Sequence, residues 1–172
     1  MNKDSKNTPM SELMAHFPRK GKVEWIGLRP EKRAPLQDVK SVMANGENGL
    51  EGDHFAGKYS QKRQVTLIQA EHLAAVASMM GVENIDPGLT RRNIVVKGIN
   101  LLALKEKQFR IGEAILETTG LCHPCSRMET NLGEGGYNAM RGHGGITAKV
   151  VKGGEIRQGD EVEALEGFVS PE

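Results

Sequence analysis

A chain of 172 residues carrying 23 basic and 22 acidic side chains, for a net charge of +1, excludes nucleic-acid binding by bulk charge, so any anion site must be local. Apolar residues make up 38% and charged residues 26%, which predicts one domain with a well-buried core. Apolar runs such as "NIVV" and "LLAL" fall far short of the ~20 residues a membrane helix needs, which predicts no membrane partner.

The start, "MNKDSKNTPM", lacks the apolar run and small-residue cleavage site of a secretory signal. With only two cysteines, three positions apart, the expectation is a cytoplasmic protein with reduced thiols and no disulfide framework. Residues 1–21 read as an extension holding a short helix. There Thr8 caps, Pro9 takes the first position, and Met10, Leu13, Met14 and Phe17 share a face that packs on the main body. The main domain is expected over 22–166, followed by a frayed tail at 167–172.

"VEWIGLRP" predicts a first strand with Val23, Trp25 and Gly27 on one side. The segment "KSVMANGENGLEGDHFAGKY" is loop-rich after one short strand near Val42. "RQVTLIQ" is a strand leading straight into a helix, "AEHLAAVASMM", with Leu73, Val76, Ala77 and Met80 at helical spacing and Gly81 as its stop. "RNIVVKG" is the next strand. "LLALKEKQFRIGEAILETT" reads as two or three more, joined at 105–107 and at Gly112. A short helix, "CSRMETNL", and an alternating segment with turns at Gly153-Gly154 and Gly159-Asp160 complete the pattern. Seven or eight short strands with two or three helices predict a fold that is mainly β, a barrel or curled sheet with helices packed on it. No phosphate-loop or dinucleotide fingerprint occurs, which disfavours a nucleotide-binding α/β fold.

Chemistry concentrates in "CHPCSRMETNLGEGGYNAMRGHGG". The Cys122–Cys125 pair has three functional readings: a redox dithiol, two ligands of a structural zinc with His143 and His54 as distant partners, or a single working thiol. The third places Cys125 in the first turn of a short helix, where unpaired backbone N–H groups favour an anion, with Arg127 close by. Two buried, inert cysteines are the plain alternative. Gly142, Gly144 and Gly145 read as backbone that turns with positive φ or approaches something closely, and His143 among them as a site candidate. His72 reads as packing or surface, and His123 as a neighbour of the thiol or an exposed bystander.

The succession "GLEGDHFAG", "RQVTLIQAEHL", "PGLTRRNIVVKGINLLAL", "FRIGEAILETTGLCHPCSRMETNLGEGGYNAMRGHGGITAKV" and "GGEIRQGDEV", spanning about Val23 to Leu165, resembles the MOSC domain, the module named after the C-terminal part of molybdenum cofactor sulfurase. The resemblance implies a β-barrel-like fold and a site holding the molybdenum cofactor through its phosphate and a cysteine sulfur. It carries the metal-ligating and catalytic cysteine to Cys125, and cofactor contacts to Arg91, Asn93, Arg63 and Asp53. Cys122 has no assigned role in it. Arginine forks match phosphate oxygens, and an Asn amide suits a pterin edge. For Arg92 a solvated strand end or surface ion pair is the reading, and for Asp53 and His54 an Asx turn competes with a site role.

Two functions follow from the resemblance. In one, the protein reduces N-hydroxylated small-molecule substrates through a cysteine-ligated molybdenum, with electrons from a separate donor protein. In the other, Cys125 carries sulfur as a persulfide, received from a sulfur donor protein, for cofactor or cluster assembly. A non-catalytic cofactor-binding module is the alternative of a different class. Pyridoxal phosphate, which serves the desulfurase domain of cofactor sulfurases, has no support in these residues.

Overall fold

The computed structural model describes residues 9–55 and 61–166. Its strands are β1 (Gly21–Leu28), β2 (Gln37–Asp38), β3 (Ser41–Asn45), β4 (Gly49–Leu50), β5 (Val65–Gln69), β6 (Ile94–Lys97), β7 (Gln108–Ile111), β8 (Ala114–Leu121), β9 (Ile146–Lys152), β10 (Gly154–Arg157) and β11 (Glu161–Ala164). The helices are α1 (Pro9–Ala15), α2 (Ala70–Met80), α3 (Arg127–Leu132) and α4 (Gly136–Met140). The mainly β expectation holds.

Seven strands close into a barrel. The order β11, β7, β8, β9, β5, β6, β1 returns to its start because β1 also pairs with β11, Gly21 opposite Val162 and Lys22 opposite Glu161. Closure removes the unpaired edges that an open sheet exposes. The pairs are antiparallel except β5 with β6, whose connection runs through α2. β2 adds to β1, and β10, β3 and β4 form a separate small sheet. The interior holds Val23, Ile26, Leu67, Ile94, Phe109 and Leu116, among others. A second apolar cluster lies between the barrel wall and the helices, formed by Ile68, Leu73, Val76, Val95, Met128 and Met140 with Trp25 against it.

Trp25 marks a departure from the simple alternation. The β1–β6 register shifts between Val23 and Trp25, so Ile26 turns into the barrel and Trp25 packs on the outer cluster instead of beside Val23. "LLAL" also departs, being a 3-10 turn over Leu101–Leu104 and not a strand. Asn100 caps it by accepting from the Leu102 N–H at 3.2 Å, and Leu101 and Leu104 bury together. α2 ends as its sequence predicts, with Gly81 at φ 70° in the left-handed region.

The expected docking of α1 is not found. Met10, Leu13 and Met14 are 63%, 67% and 62% exposed, and it is Phe17, beyond the helix, that packs against the barrel core. The proposed cap at Thr8 lies outside the described residues. No helix among the described residues is long and apolar enough to cross a membrane.

Candidate functional site

Beyond Leu121 the chain leaves the barrel wall and makes a four-residue turn, Cys122-His123-Pro124-Cys125, before α3. Three hydrogen bonds of 3.0 Å or less help fix it. The Cys122 N–H donates to the Gly145 carbonyl at 2.9 Å, the Cys122 carbonyl accepts from Arg92 Nη2 at 3.0 Å, and the Cys125 carbonyl accepts from the Met128 N–H at 3.0 Å. Ser126 is the N-cap of α3, so Cys125 stands before the helix and not in its first turn. Both thiols are free, Cys122 buried at 3% exposure and Cys125 exposed.

The glycines opposite are required by close approach. A side chain at Gly144 would meet the Cys122 carbonyl, and one at Gly145, where φ is +83°, would meet the Leu67 carbonyl. Backbone contact at this distance lets the β9 approach and the cysteine turn lie against each other.

Arg92 is the strut of this assembly. Its Nε donates to the Gly144 carbonyl at 2.7 Å, Nη1 to Thr90 at 2.8 Å, and Nη2 to Cys122 at 3.0 Å and to His123 at 3.5 Å. It is 6% exposed, so the surface role expected from the sequence is replaced by a buried one. A buried guanidinium is tolerated because carbonyl dipoles surround it. Burial pulls its pKa down, while the two cysteine sulfurs act in the opposite sense.

Arg91 has the opposite fate. It caps the 3-10 turn Pro87–Thr90 with φ 62°, a left-handed conformation uncommon for a residue with a side chain. Half-buried, it has Arg29, Arg127 and Cys125 as electrostatic neighbours; burial first, then Arg29 and Arg127, draws its pKa below the ordinary value. Among the described residues none of Arg29, Arg91 and Arg127 forms an ion pair. Arg91, with Arg29, Arg127 and the Cys125 thiol as its electrostatic neighbours, lies in a locally positive region of a protein of net charge +1.

The remaining candidates divide. Arg63 is exposed and places Nη2 3.9 Å from the Sγ of Cys122, the buried thiol. Asn93 is 6% exposed and both ends of its amide are engaged. Oδ1 accepts from the Thr66 N–H at 3.2 Å and the Thr66 hydroxyl at 3.1 Å, and Nδ2 donates to the Gly27 carbonyl at 3.2 Å. Asp53 accepts from the Arg29 N–H through Oδ1 at 2.8 Å, a link between distant segments and not a local Asx turn. His54 ties back through its own N–H to the Arg29 carbonyl at 2.5 Å. Asn93, Asp53 and His54 therefore clamp the end of β1 on both sides of Arg29. They act as braces for a site arginine that the sequence did not single out.

His123 is exposed, contributing its carbonyl to Arg92. His143 packs edge-on against His72 with ring centroids 5.0 Å apart, and its Nδ1 lies 3.0 Å from the Arg141 carbonyl. His72 Nδ1 is buried without a hydrogen-bond partner among the described residues, and burial, followed by His143, lowers the His72 pKa. Among the described residues no group of three or more His, Cys, Asp or Glu side chains converges as a metal site, so the zinc alternative finds no ligand set there. A molybdenum-pterin group asks for one soft sulfur ligand and a phosphate cradle, and Cys125 with Arg91, Arg29 and Arg127 matches that donor chemistry.

A family model for the MOSC domain matches residues 52–163. None of the curated proteins matches. Among solved structures, the YuaD protein from Bacillus subtilis is similar with a TM-score of 0.73 and 23% identity over 85% of this chain and 96% of that one. YiiM from Escherichia coli gives 0.67 and 19% over 87% and 71%. YiiM from Geobacillus stearothermophilus gives 0.69 and 15% over 85% and 75%. At these identities the likeness speaks for the fold.

Proposed function

Because the chain belongs to the MOSC domain family, we propose that it binds a molybdenum-pterin cofactor and reduces N-hydroxylated compounds, taking electrons from a separate donor protein. The observation that carries this reading is Arg91, grouped with Arg29 and Arg127 without an ion pair among the described residues, together with the exposed thiol of Cys125 two residues before Arg127. Like charges held together cost free energy, and a bound dianion relieves that cost. The left-handed backbone at Arg91 belongs to the same argument, since strain of this kind collects at sites that hold ligands.

In this reading Cys125 supplies the soft sulfur that ligates the metal, and Arg91, Arg29 and Arg127 hold the phosphate. Arg92 keeps the cysteine turn in place, and Asn93 and Asp53 hold the backbone at Gly27 and Arg29. When bound, the cofactor supplies two-electron reduction, converting an N–OH group to N–H with release of water. The protein's own part is to orient the thiol, neutralise the phosphate and leave Cys125 open to substrate.

The exposure of Cys125 also favours a second reading, in which its sulfur carries a persulfide handed over by a donor protein. Metal and pterin analysis of protein made in a host that synthesises the cofactor tests both. Pterin near one per chain, with molybdenum lost in Cys125→Ala, is the expected result. Cyanide-releasable sulfur on Cys125 with neither molybdenum nor pterin supports the carrier and overturns the reductase. Retention of metal and pterin by Cys125→Ala points to a binding module that does not use the thiol.

A further inference from the structure

The cofactor reading uses one cysteine and leaves the second unexplained. Cys122 is 3% exposed, yet it is not in an apolar core: Arg63 Nη2 lies 3.9 Å from its sulfur, and Arg92 holds its carbonyl. Arg92 Nη2 also reaches the His123 carbonyl at 3.5 Å, so one guanidinium holds the backbone between the two cysteines. The intervening His123-Pro124 step is short, and the Arg92 bond to Cys122 and the Met128 bond to Cys125 anchor its two ends.

We propose that Cys125 and Cys122 form a redox-active dithiol that exchanges with small anionic disulfides, Cys125 attacking and Cys122 resolving. The division of labour follows from access. Cys125 is exposed to a substrate, and Cys122, three residues before it, is buried away from one. The Cys125 thiolate attacks one sulfur of the disulfide, forming a mixed disulfide and expelling the first thiolate. The Cys122 thiolate then attacks the Cys125 sulfur, expelling the second thiolate and leaving the Cys122–Cys125 disulfide. The protein loses two electrons and the substrate gains them, the thiol protons pass to solvent, and an external dithiol reductant restores the starting state. Arg127, two residues after Cys125, and Arg91, which interacts with the Cys125 sulfur, favour approach of negative charge to Cys125 and so select the substrate class.

This activity goes beyond the cofactor reading and needs no cofactor, so it is tested on the full chain made in a host that lacks molybdenum cofactor. Wild type incubated with oxidised glutathione is expected to form the Cys122–Cys125 disulfide, identified by peptide mapping, without accumulating a glutathione adduct. Cys122→Ser is expected to stop at a glutathione adduct on Cys125, and Cys125→Ser not to react. Attack on oxidised glutathione, an anion, is expected to outpace attack on the cationic disulfide cystamine, and Arg91→Gln is expected to narrow that difference, slowing the former by about tenfold. A stable glutathione adduct on wild type, or equal rates for the two disulfides, overturns the proposal. The wild-type mapping needs no variant to fold, and neither outcome depends on whether the chain binds a pterin.

Discussion

Arg91 and Arg92 are consecutive, and the regions they serve treat charge in opposite ways. The strut region around Arg92 is closed, since its guanidinium is surrounded by the carbonyls of Thr90, Cys122, His123 and Gly144 and faces no solvent. The cradle around Arg91 is open, since Arg91 has Arg29, Arg127 and the exposed thiol of Cys125 as electrostatic neighbours and no carboxylate is paired to the three arginines among the described residues. One region spends its polar groups on holding shape, and the other keeps them available at the expense of mutual repulsion. Buried arginine is therefore no sign of a ligand contact here, and unpaired arginine is the better one.

The sharpest way to break this contrast is to remove the strut. Arg92→Met leaves several buried carbonyls without a donor and is expected to cost about 3 kcal/mol or more of stability, read as a lower denaturation midpoint. A midpoint unchanged from wild type would return Arg92 to the surface role its sequence suggested. Arg91→Gln tests the other half: it removes one like charge and relieves left-handed strain little, so stability is expected within about 0.5 kcal/mol of wild type. Its loss is in anion affinity, about tenfold weaker for inorganic phosphate by thermal-shift titration, since a charge-assisted contact is worth about 1.4 kcal/mol. Equal protection by phosphate in both proteins would count against the cradle.

The smallest effect concerns the flank, where His72 meets His143. Folding lowers the His72 pKa from its ordinary 6.5, so the unfolded chain takes up a proton that the folded chain declines. Stability is thus fully present above about pH 6.5 and falls as the pH drops below it, down to the depressed folded value. Half-exposure and solvent screening keep the slope shallow. Replacing His72 with Gln is expected to flatten the fall of the melting temperature as the pH drops below about 6.5. An unaltered slope would assign the acid sensitivity elsewhere.

Much of the barrel was legible because alternation and turn residues report local geometry, as in the run from Val65 through α2 to Gly81. Trp25 was misread because a bulge depends on the partner strand, and nothing within β1 announces the register shift against β6. "LLAL" was misread because four apolar residues fit either a buried strand or a buried turn, and the choice rests with the Asn100 cap. In the site, the cysteine turn and its glycines could be found from composition. The arginines could not be sorted so easily. Arg91 and Arg92 are indistinguishable as letters, and a left-handed φ at the first separates their environments. Arg29 escaped notice because it joins the cradle only through barrel pairing, where the Gly27 N–H donates to the Asn93 carbonyl at 2.7 Å.

The seam between β1 and β11 has a mechanical corollary. The strands run antiparallel with Gly21 facing Val162 and Lys22 facing Glu161, and beyond them the chain leaves both strands on the same side, where Lys20 reaches Glu161 at 3.2 Å and Glu163 at 3.5 Å. Tension applied at those two exits loads the seam one rung at a time, as in opening a zip, and never shears many hydrogen bonds together. With two residue pairs this seam is also the shortest strand pairing around the barrel, so such a pull acts where the closure is thinnest.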